Sequence, residues 1–309
     1  MAKRVIRPLN GKSEMIEKRI ERTTSRTAAM TCMSRAASYL ESNRNYHSND
    51  HIAVKILPRF IRVLIHITWF RNLLVRFFAP LGVYEYVIAR TKYIDAAFEK
   101  ALEDRFDQIL ILGAGYDTRA LRFQDKAQNT RIFELDELHT QQAKIEQLKK
   151  CNLRIPSNLV FIAIDFEKES LSQKLDMAKF QKEQRTLYIL EGLLMYLEPE
   201  SVKKTFQLIT EYGSTRNRVV FDYIQASVLR HENTLYGEAE LVKSVHKAGE
   251  PWQFGIEPCE IDSFAVAHGF EVNDHKCAEE LEVIYFQDDG GRMAGRINGT
   301  HCIVTMEIR

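Results

Sequence analysis

Cysteine is scarce in this 309-residue chain: the five present (Cys32, Cys151, Cys259, Cys277, Cys302) are odd in number, scattered and never spaced as CxxC. That excludes a zinc ribbon and a disulfide scaffold, and it predicts reduced thiols, a cytoplasmic setting and no metal site. Long apolar runs are missing too. The most hydrophobic stretch, Ile52 to Val83, is broken by a charge or a proline every few residues, so no transmembrane helix is expected. Lys3, Arg4 and Arg7 lead into polar Asn10 to Glu14, which is not the pattern of a secretory signal. No internal repeat or low-complexity segment appears. With 45% hydrophobic and 28% charged residues, collagen-like and wholly disordered chains are excluded, and the length allows one large domain or two.

Acidic residues are absent between Asp50 and Glu85, where Lys55, Arg59, Arg62, Arg71 and Arg76 sit among aliphatics and aromatics. Residues 1 to 84 carry 15 Lys and Arg against 5 Asp and Glu, which leaves 28 against 37 for the rest. A basic region of this kind docks on the acidic remainder, meets an anionic small molecule, or faces nucleic acid or a membrane. The first is the expectation. Neither a nucleic-acid partner nor stable membrane insertion is expected, and oligomeric state is not legible.

The chain divides into two parts. Residues 1 to about 20 read as a charged lead-in. Thr23 to Ser42 is rich in small helix-compatible residues, and Ile56, Phe60, Val63, Leu64, Ile67 and Phe70 recur at helical spacings, with Pro58 and Pro80 bounding or kinking helices. Residues 1–88 are therefore read as a helical cap, a lid over the substrate, and 89–309 as the cofactor-binding domain. Short apolar runs at 108–112, 131–136, 159–164, 186–190 and 218–223 alternate with helical stretches such as 138–150 and 201–212. That alternation predicts an α/β fold with a mostly parallel sheet and helices on both faces. A helix at 261–268 and two further strands, from 270 and from 302, bring the sheet to seven strands.

Three of the first four runs end on an acid, at Asp136, Asp165 and Glu191, while the run at 108–112 ends on Gly113-Ala114-Gly115. Ligands of an open parallel sheet bind beyond the carboxyl ends of its strands, so this turn and three carboxylates converge on one crevice. Asp136 follows Gly115 by 21 residues, near the spacing at which a carboxylate accepts ribose hydroxyls. A dinucleotide turn would carry a third glycine, where Thr118 stands, and Asp117 inside the turn disfavours a pyrophosphate. A ribose-bearing cofactor without phosphate and with cationic groups suits the acids, and S-adenosylmethionine is such a molecule. Asp165 would accept from its adenine amino group and Glu191 would face its ammonium.

These segments resemble the leucine carboxyl methyltransferase family of S-adenosylmethionine-dependent O-methyltransferases, including bacterial members linked to polyketide O-methylation. The resemblance rests on Arg90-Thr91-Lys92-Tyr93-Ile94-Asp95, Leu112 through Ala120, Phe133-Glu134-Leu135-Asp136, Asp165-Phe166 and Glu191 through Leu197, with Ser25-Arg26-Thr27-Ala28 and Arg35-Ala36 upstream. It covers about residues 25 to 225. It implies a class I methyltransferase, Rossmann-like fold in which Arg90 pairs with the cofactor's carboxylate and Gly113 lines its methionine part. Asp136 would take the ribose, Asp165 and the Phe166 backbone the adenine, and Glu191 the amino group. Two places depart from the family pattern: Asp136 is followed by Glu137-Leu138-His139, where relatives often carry a proline, and Phe166 replaces the commoner leucine.

A carboxylate acceptor, from a polyketide-like acid or a protein C-terminus, is ionised at neutral pH and needs a cation rather than a base. Arg35, Arg59, Arg62 and Arg71 are the cap's candidates. A hydroxyl acceptor would need a base, for which His231 and His246 stand after the fifth run. Tyr196 and Tyr223, near strand ends, would shape the acceptor pocket. The competing readings are an NAD(P)-dependent oxidoreductase on the same sheet and a non-catalytic nucleotide-binding or membrane-surface adaptor using Lys55 to Arg76.

Overall fold

The computed structural model describes residues 26–212, 216–249 and 251–309. The lead-in of residues 1 to about 20, and Ser25, lie outside them. Helices α1 (Arg26–Tyr39), α2 (His51–Ile56), α3 (Arg59–Leu64) and α4 (Thr68–Phe78) precede the long α5 (Val83–Glu103). Pro58 occupies the cap position before α3, where its missing N–H has no helical partner to lose, and Pro80 follows α4. Asp50 caps α2 by accepting from the Ala53 N–H at 2.9 Å.

Strand and helix then alternate: β1 (Gln108–Leu112), α6 (Arg119–Arg122), β2 (Arg131–Asp136), α7 (Leu138–Lys150), β3 (Leu159–Ala163), α8 (Leu171–Met177), β4 (Thr186–Leu190), α9 (Pro199–Glu211) and β5 (Arg218–Ile224). Short helices α10 (Ala226–Leu229), α11 (Glu238–Ala248) and α12 (Ile261–Ala267) lead to β6 (Phe270–Lys276), α13 (Ala278–Phe286) and β7 (His301–Ile308). The sheet order is β3-β2-β1-β4-β5-β7-β6, with β1 to β5 parallel and β7 antiparallel to both its neighbours. This is the expected seven-stranded, mostly parallel sheet.

Side chains alternate across each strand, and the two faces collect different helices. Ile109 and Ile111 join a cluster with Ala36 of α1, Ile52 of α2, Ile88 and Phe98 of α5, Ala120 of α6 and Leu281 of α13. Leu110 and Leu112 point the other way, toward Leu175 of α8, Phe206 and Ile209 of α9 and Ile261 of α12. Helices α1 and α2 thus share a core with the sheet, and position 88 falls inside the continuous helix α5. Among the described residues no helix is long and apolar enough to cross a membrane.

The reading of all five thiols as reduced is corrected here. Cys277 and Cys302 form a disulfide where α13 begins beside β7, and Cys32, Cys151 and Cys259 remain free. The bond joins residues 25 apart in sequence that only the antiparallel packing of β6 and β7 brings together, so cysteine spacing could not announce it.

Phe206 is fully buried and meets Phe221, Phe264 and Phe270 edge-on, with centroids at 5.3, 5.1 and 5.9 Å. Phe206→Ala is expected to lower the unfolding free energy by about 3–5 kcal/mol in urea titration, the cost of a large aromatic cavity.

Candidate cofactor site

The order of the strands reverses between β1 and β4, and the elements that carry charge open at that point. β1 hands over to the turn at Gly113, β2 ends at Asp136, β4 is followed by Glu191, and β5 holds Asp222 one position from its fully buried Tyr223. Two glycines admit close approach. Gly113 has φ 68°, and Gly192 has φ 62°, where a Cβ would stand 3.1 Å from Arg90 Nη1. Both backbones sit in the left-handed region that favours glycine.

Around the turn lies one buried ion network. Arg90 Nη1 donates to Asp222 Oδ2 at 2.8 Å, and its Nε stands 3.1 Å from Glu191 Oε1. Arg119, fully buried, donates to Glu191 at 2.7 Å, to Asp117 at 2.5 Å and to Asp95 at 2.8 Å. Arg122 forks onto both oxygens of Asp95 at 2.6 and 2.8 Å and lies 3.5 Å from Asp50, which Arg35 approaches at 3.5 Å from its other side. The glycine turn is tied in as well: Arg35 Nη2 donates to the Tyr116 carbonyl at 2.6 Å, and Thr118 Oγ1 donates to Asp50 at 2.7 Å. Five carboxylates (Asp50, Asp95, Asp117, Glu191, Asp222) face four guanidiniums, so the network carries one net negative charge.

Burial alone would raise the Glu191 carboxyl, but the guanidiniums of Arg119 and Arg90, with Arg35 beyond, outweigh it and hold the group at about 2. Glu191 is therefore ionised at neutral pH. Asp136 moves the other way: burial raises it against hydrogen bonds accepted from the backbone N–H groups of Gly115 and Glu137. Below the turn, Glu134 is buried with its carboxylate on Lys144 of α7, and burial pushes it up to about 7 against that lysine's pull.

The sequence candidates separate clearly. Arg90, Gly113, Ala114, Gly115, Asp117, Asp136 and Glu191 are brought to one edge of the sheet. Asp165 and Phe166 follow β3 further along that edge, with Asp165 Oδ1 accepting from the N–H groups of Glu167 and Lys168 at 3.0 and 3.2 Å. Asp117 is not an open carboxylate repelling anions, because Arg119 two residues on neutralises it; the argument from its charge is corrected accordingly. Of the cap arginines, Arg35 reaches the turn. Arg71 is buried on Glu41 at 3.1 Å, Arg62 donates to the Lys55 carbonyl at 2.9 Å, and Arg59 is exposed. Tyr196 lies in a 3-10 turn after β4 beside a small cluster of Met195, Ile224 and Val228. Tyr223 lies on the opposite face of the sheet from Asp222, with its hydroxyl 2.8 Å from His275 Nε2. His231 and His246 are exposed.

The sequence reading missed Asp222, Arg119, Asp95 and His301. A signal existed for Asp222: a carboxylate inside the apolar run at 218–223 is tolerated only when paired. His301 had none: it opens β7 with no motif around it. Its ring stacks on Tyr86 with centroids 4.3 Å apart, and the Tyr86 hydroxyl donates to Asp222 Oδ2 at 2.8 Å. Asn298 Nδ2 donates to the Leu81 carbonyl, which leaves its Oδ1 to accept the Thr300 hydroxyl at 2.6 Å. With its proton given to Asn298, Thr300 Oγ1 can only accept from His301 Nδ1 at 2.7 Å, so Nδ1 is the protonated nitrogen and Nε2 holds the lone pair. Burial, aided by Arg90 and opposed by Asp222, pushes this histidine down to about 4, so it is neutral at physiological pH.

A family model described as leucine carboxyl methyltransferase matches residues 30–210. YktD of Bacillus subtilis, named as a candidate S-adenosyl-L-methionine-dependent methyltransferase, is 27% identical over 201 residues, covering 65% of this chain and 66% of its own length. A Mycobacteroides abscessus protein of the same description is 34% identical over 143 residues, 46% of each chain. The matches thus span two thirds or less of these curated relatives. A crystal structure from Thermobifida fusca, titled as a candidate methyltransferase, superposes with a TM-score of 0.56 at 13% identity, covering 83% of this chain and 94% of that one; it is similar in fold.

The depressed Glu191 value has a signed consequence. Its stabilising contribution is complete above the ordinary glutamate value of 4.5 and is lost as pH falls from there through about 2. Unfolding free energies measured by denaturant across that window should decline steeply for the native chain. Glu191→Gln should flatten that limb while lowering stability at neutral pH by about 3–5 kcal/mol, because two buried arginines lose a partner.

Proposed function

Because the chain belongs to the leucine carboxyl methyltransferase family, we propose that it transfers a methyl group from S-adenosyl-L-methionine to an oxygen atom of its acceptor. The observation that carries this reading is the buried network at the switch point with its single net negative charge. S-adenosylmethionine, with an ammonium, a sulfonium and one carboxylate, carries one net positive charge and no phosphate, so the two fit electrostatically. A dinucleotide with its pyrophosphate does not, and the oxidoreductase reading loses its basis.

The residues present suit each part of that cofactor. Arg90 donates Nη1 to Asp222, while its buried Nε, 3.1 Å from Glu191 Oε1, has no hydrogen-bond partner among the described residues, and this guanidinium is the group suited to the methionine carboxylate. Glu191, held ionised, faces the ammonium. Asp136 has carboxylate lone pairs beyond those that accept Gly115 and Glu137, suited to the ribose hydroxyls, and Asp165 with the Phe166 backbone would hold the adenine. When bound, the cofactor supplies a methyl group already activated by the sulfonium. The chain's own task is then to fix the donor, hold the acceptor oxygen in line and exclude water.

For the acceptor, a carboxylate on a small molecule such as a polyketide-like acid, or on a protein C-terminus, is the first reading: it is a nucleophile at neutral pH without any base. A hydroxyl is the second, and His301 favours it, since its unprotonated Nε2 lies one ring away from the Arg90–Asp222 pair. In neither reading do His231 or His246 take part.

Isothermal calorimetry tests the cofactor assignment. Wild-type protein should bind S-adenosylmethionine, and Asp136→Ala should weaken binding at least about tenfold, the loss of charge-assisted contacts to the ribose. Unchanged binding by that variant would refute the assignment. Product chemistry separates the acceptors: label transferred from methyl-labelled cofactor is released as methanol by mild alkali from an ester and retained by an ether. In the ether case, His301→Ala should lower kcat about a hundredfold or more while cofactor affinity holds.

A further inference from the structure

Helices α3 and α4 are apolar on two sides. The inner side is used: Ile65 is fully buried, Ile61 and Val75 pack on the cluster shared with the sheet, and Arg71 is buried against Glu41. The outer side faces water. Phe60, Val63 and Ile67, at spacings of three and four, are 70%, 68% and 41% exposed, and Trp69 and Leu73, four apart, are 67% and 53% exposed. Phe60 and Val63 fall on one side of α3 and Trp69 and Leu73 on one side of α4, with Ile67 exposed at the cap position before α4. Large apolar side chains concentrated in water are unfavourable for a chain that stays alone in solution, and such stripes mark contact surfaces.

The flanking charges decide the partner. Lys55, Arg59 and Arg76 are exposed, and none forms an ion pair with a described residue. No acidic residue lies anywhere between Asp50 and Glu85. A second copy set face to face across a two-fold axis would bring these cations against themselves. An anionic bilayer surface satisfies both components at once. The apolar side chains enter the acyl boundary, Trp69 sits at headgroup level, and the lysine and arginines meet anionic headgroups.

We propose that α3 and α4 form a docking surface for an anionic phospholipid bilayer, on which the protein lies peripherally without spanning it. This surface is separate from the cofactor site, and the proposal stands independently of the methyl-transfer reading.

Sedimentation of the full chain with vesicles tests it, using phosphatidylcholine alone or phosphatidylcholine with about one third phosphatidylserine. Pelleting is expected with the anionic vesicles only, and it should weaken as salt rises from about 0.1 to about 0.5 M. The double substitution Trp69→Ser/Leu73→Ser should reduce partitioning at least about tenfold, and Lys55→Glu/Arg76→Glu by about fivefold or more per cation. All these side chains are exposed, so both variants should keep the wild-type circular dichroism spectrum and S-adenosylmethionine affinity, which rules out misfolding as the cause. Three results overturn the proposal: no pelleting with anionic vesicles, equal pelleting with neutral ones, or a dimer by light scattering that Trp69→Ser/Leu73→Ser returns to monomer.

Discussion

Four arginines and five carboxylates packed into one network under the glycine turn are the constraint on which the rest of this structure depends. A buried charge without its partner costs several kcal/mol, so every member must be in place before any is comfortable. The members come from α1, α2, α5, α6, the turn after β1, the end of β4 and the interior of β5. Apart from Asp117 and Arg119, two residues apart, the paired members come from segments distant in sequence. The network therefore works as a registration device: it holds the N-terminal helices on the sheet, and it fixes where the carboxyl ends of the strands stand relative to one another.

The same arrangement gives the crevice its electrostatic character. Paired to two guanidiniums, Glu191 stays charged far below neutral pH, whereas Asp136 is raised toward its protonated form by burial. A cation entering there meets a fixed carboxylate that needs no reorganisation at the moment of binding. The surplus negative charge of the network is what a net-positive ligand would relieve. His301 adds a neutral imidazole whose tautomer is set by Thr300 and Asn298.

The helical region before α5 proves to be two things at once. Its first two helices are structural, with Ala28 beside the Gly115 turn, Arg35 on the Tyr116 carbonyl and Asp50 on Thr118. Its second pair, α3 and α4, keeps an apolar stripe and unpaired cations outside. The excess of basic residues counted along the sequence thus divides between buried arginines that neutralise the acids of the crevice and exposed ones that do not.

Much of this was legible in the residues. The first four strands lie where apolar runs ending in glycine or acid placed them, because a strand buried on both faces must be apolar throughout and a ligand edge must not be, and β5 to β7 lie on the runs from 218, 270 and 302. Composition could not separate a free carboxylate from a paired one: Asp117 looked open until folding set Arg119 upon it. Nor could it show that Tyr223 and Asp222, adjacent in β5, face opposite sides of the sheet, or that Cys277 and Cys302 meet across the β6–β7 edge. Local sequence determined the elements and the acids at their ends, since those follow from side-chain hydrophobicity and backbone period. Which charge neutralises which, and which histidine comes to lie beside Arg90, only the tertiary structure decided, because partners drawn from distant segments meet only when the sheet has closed around them.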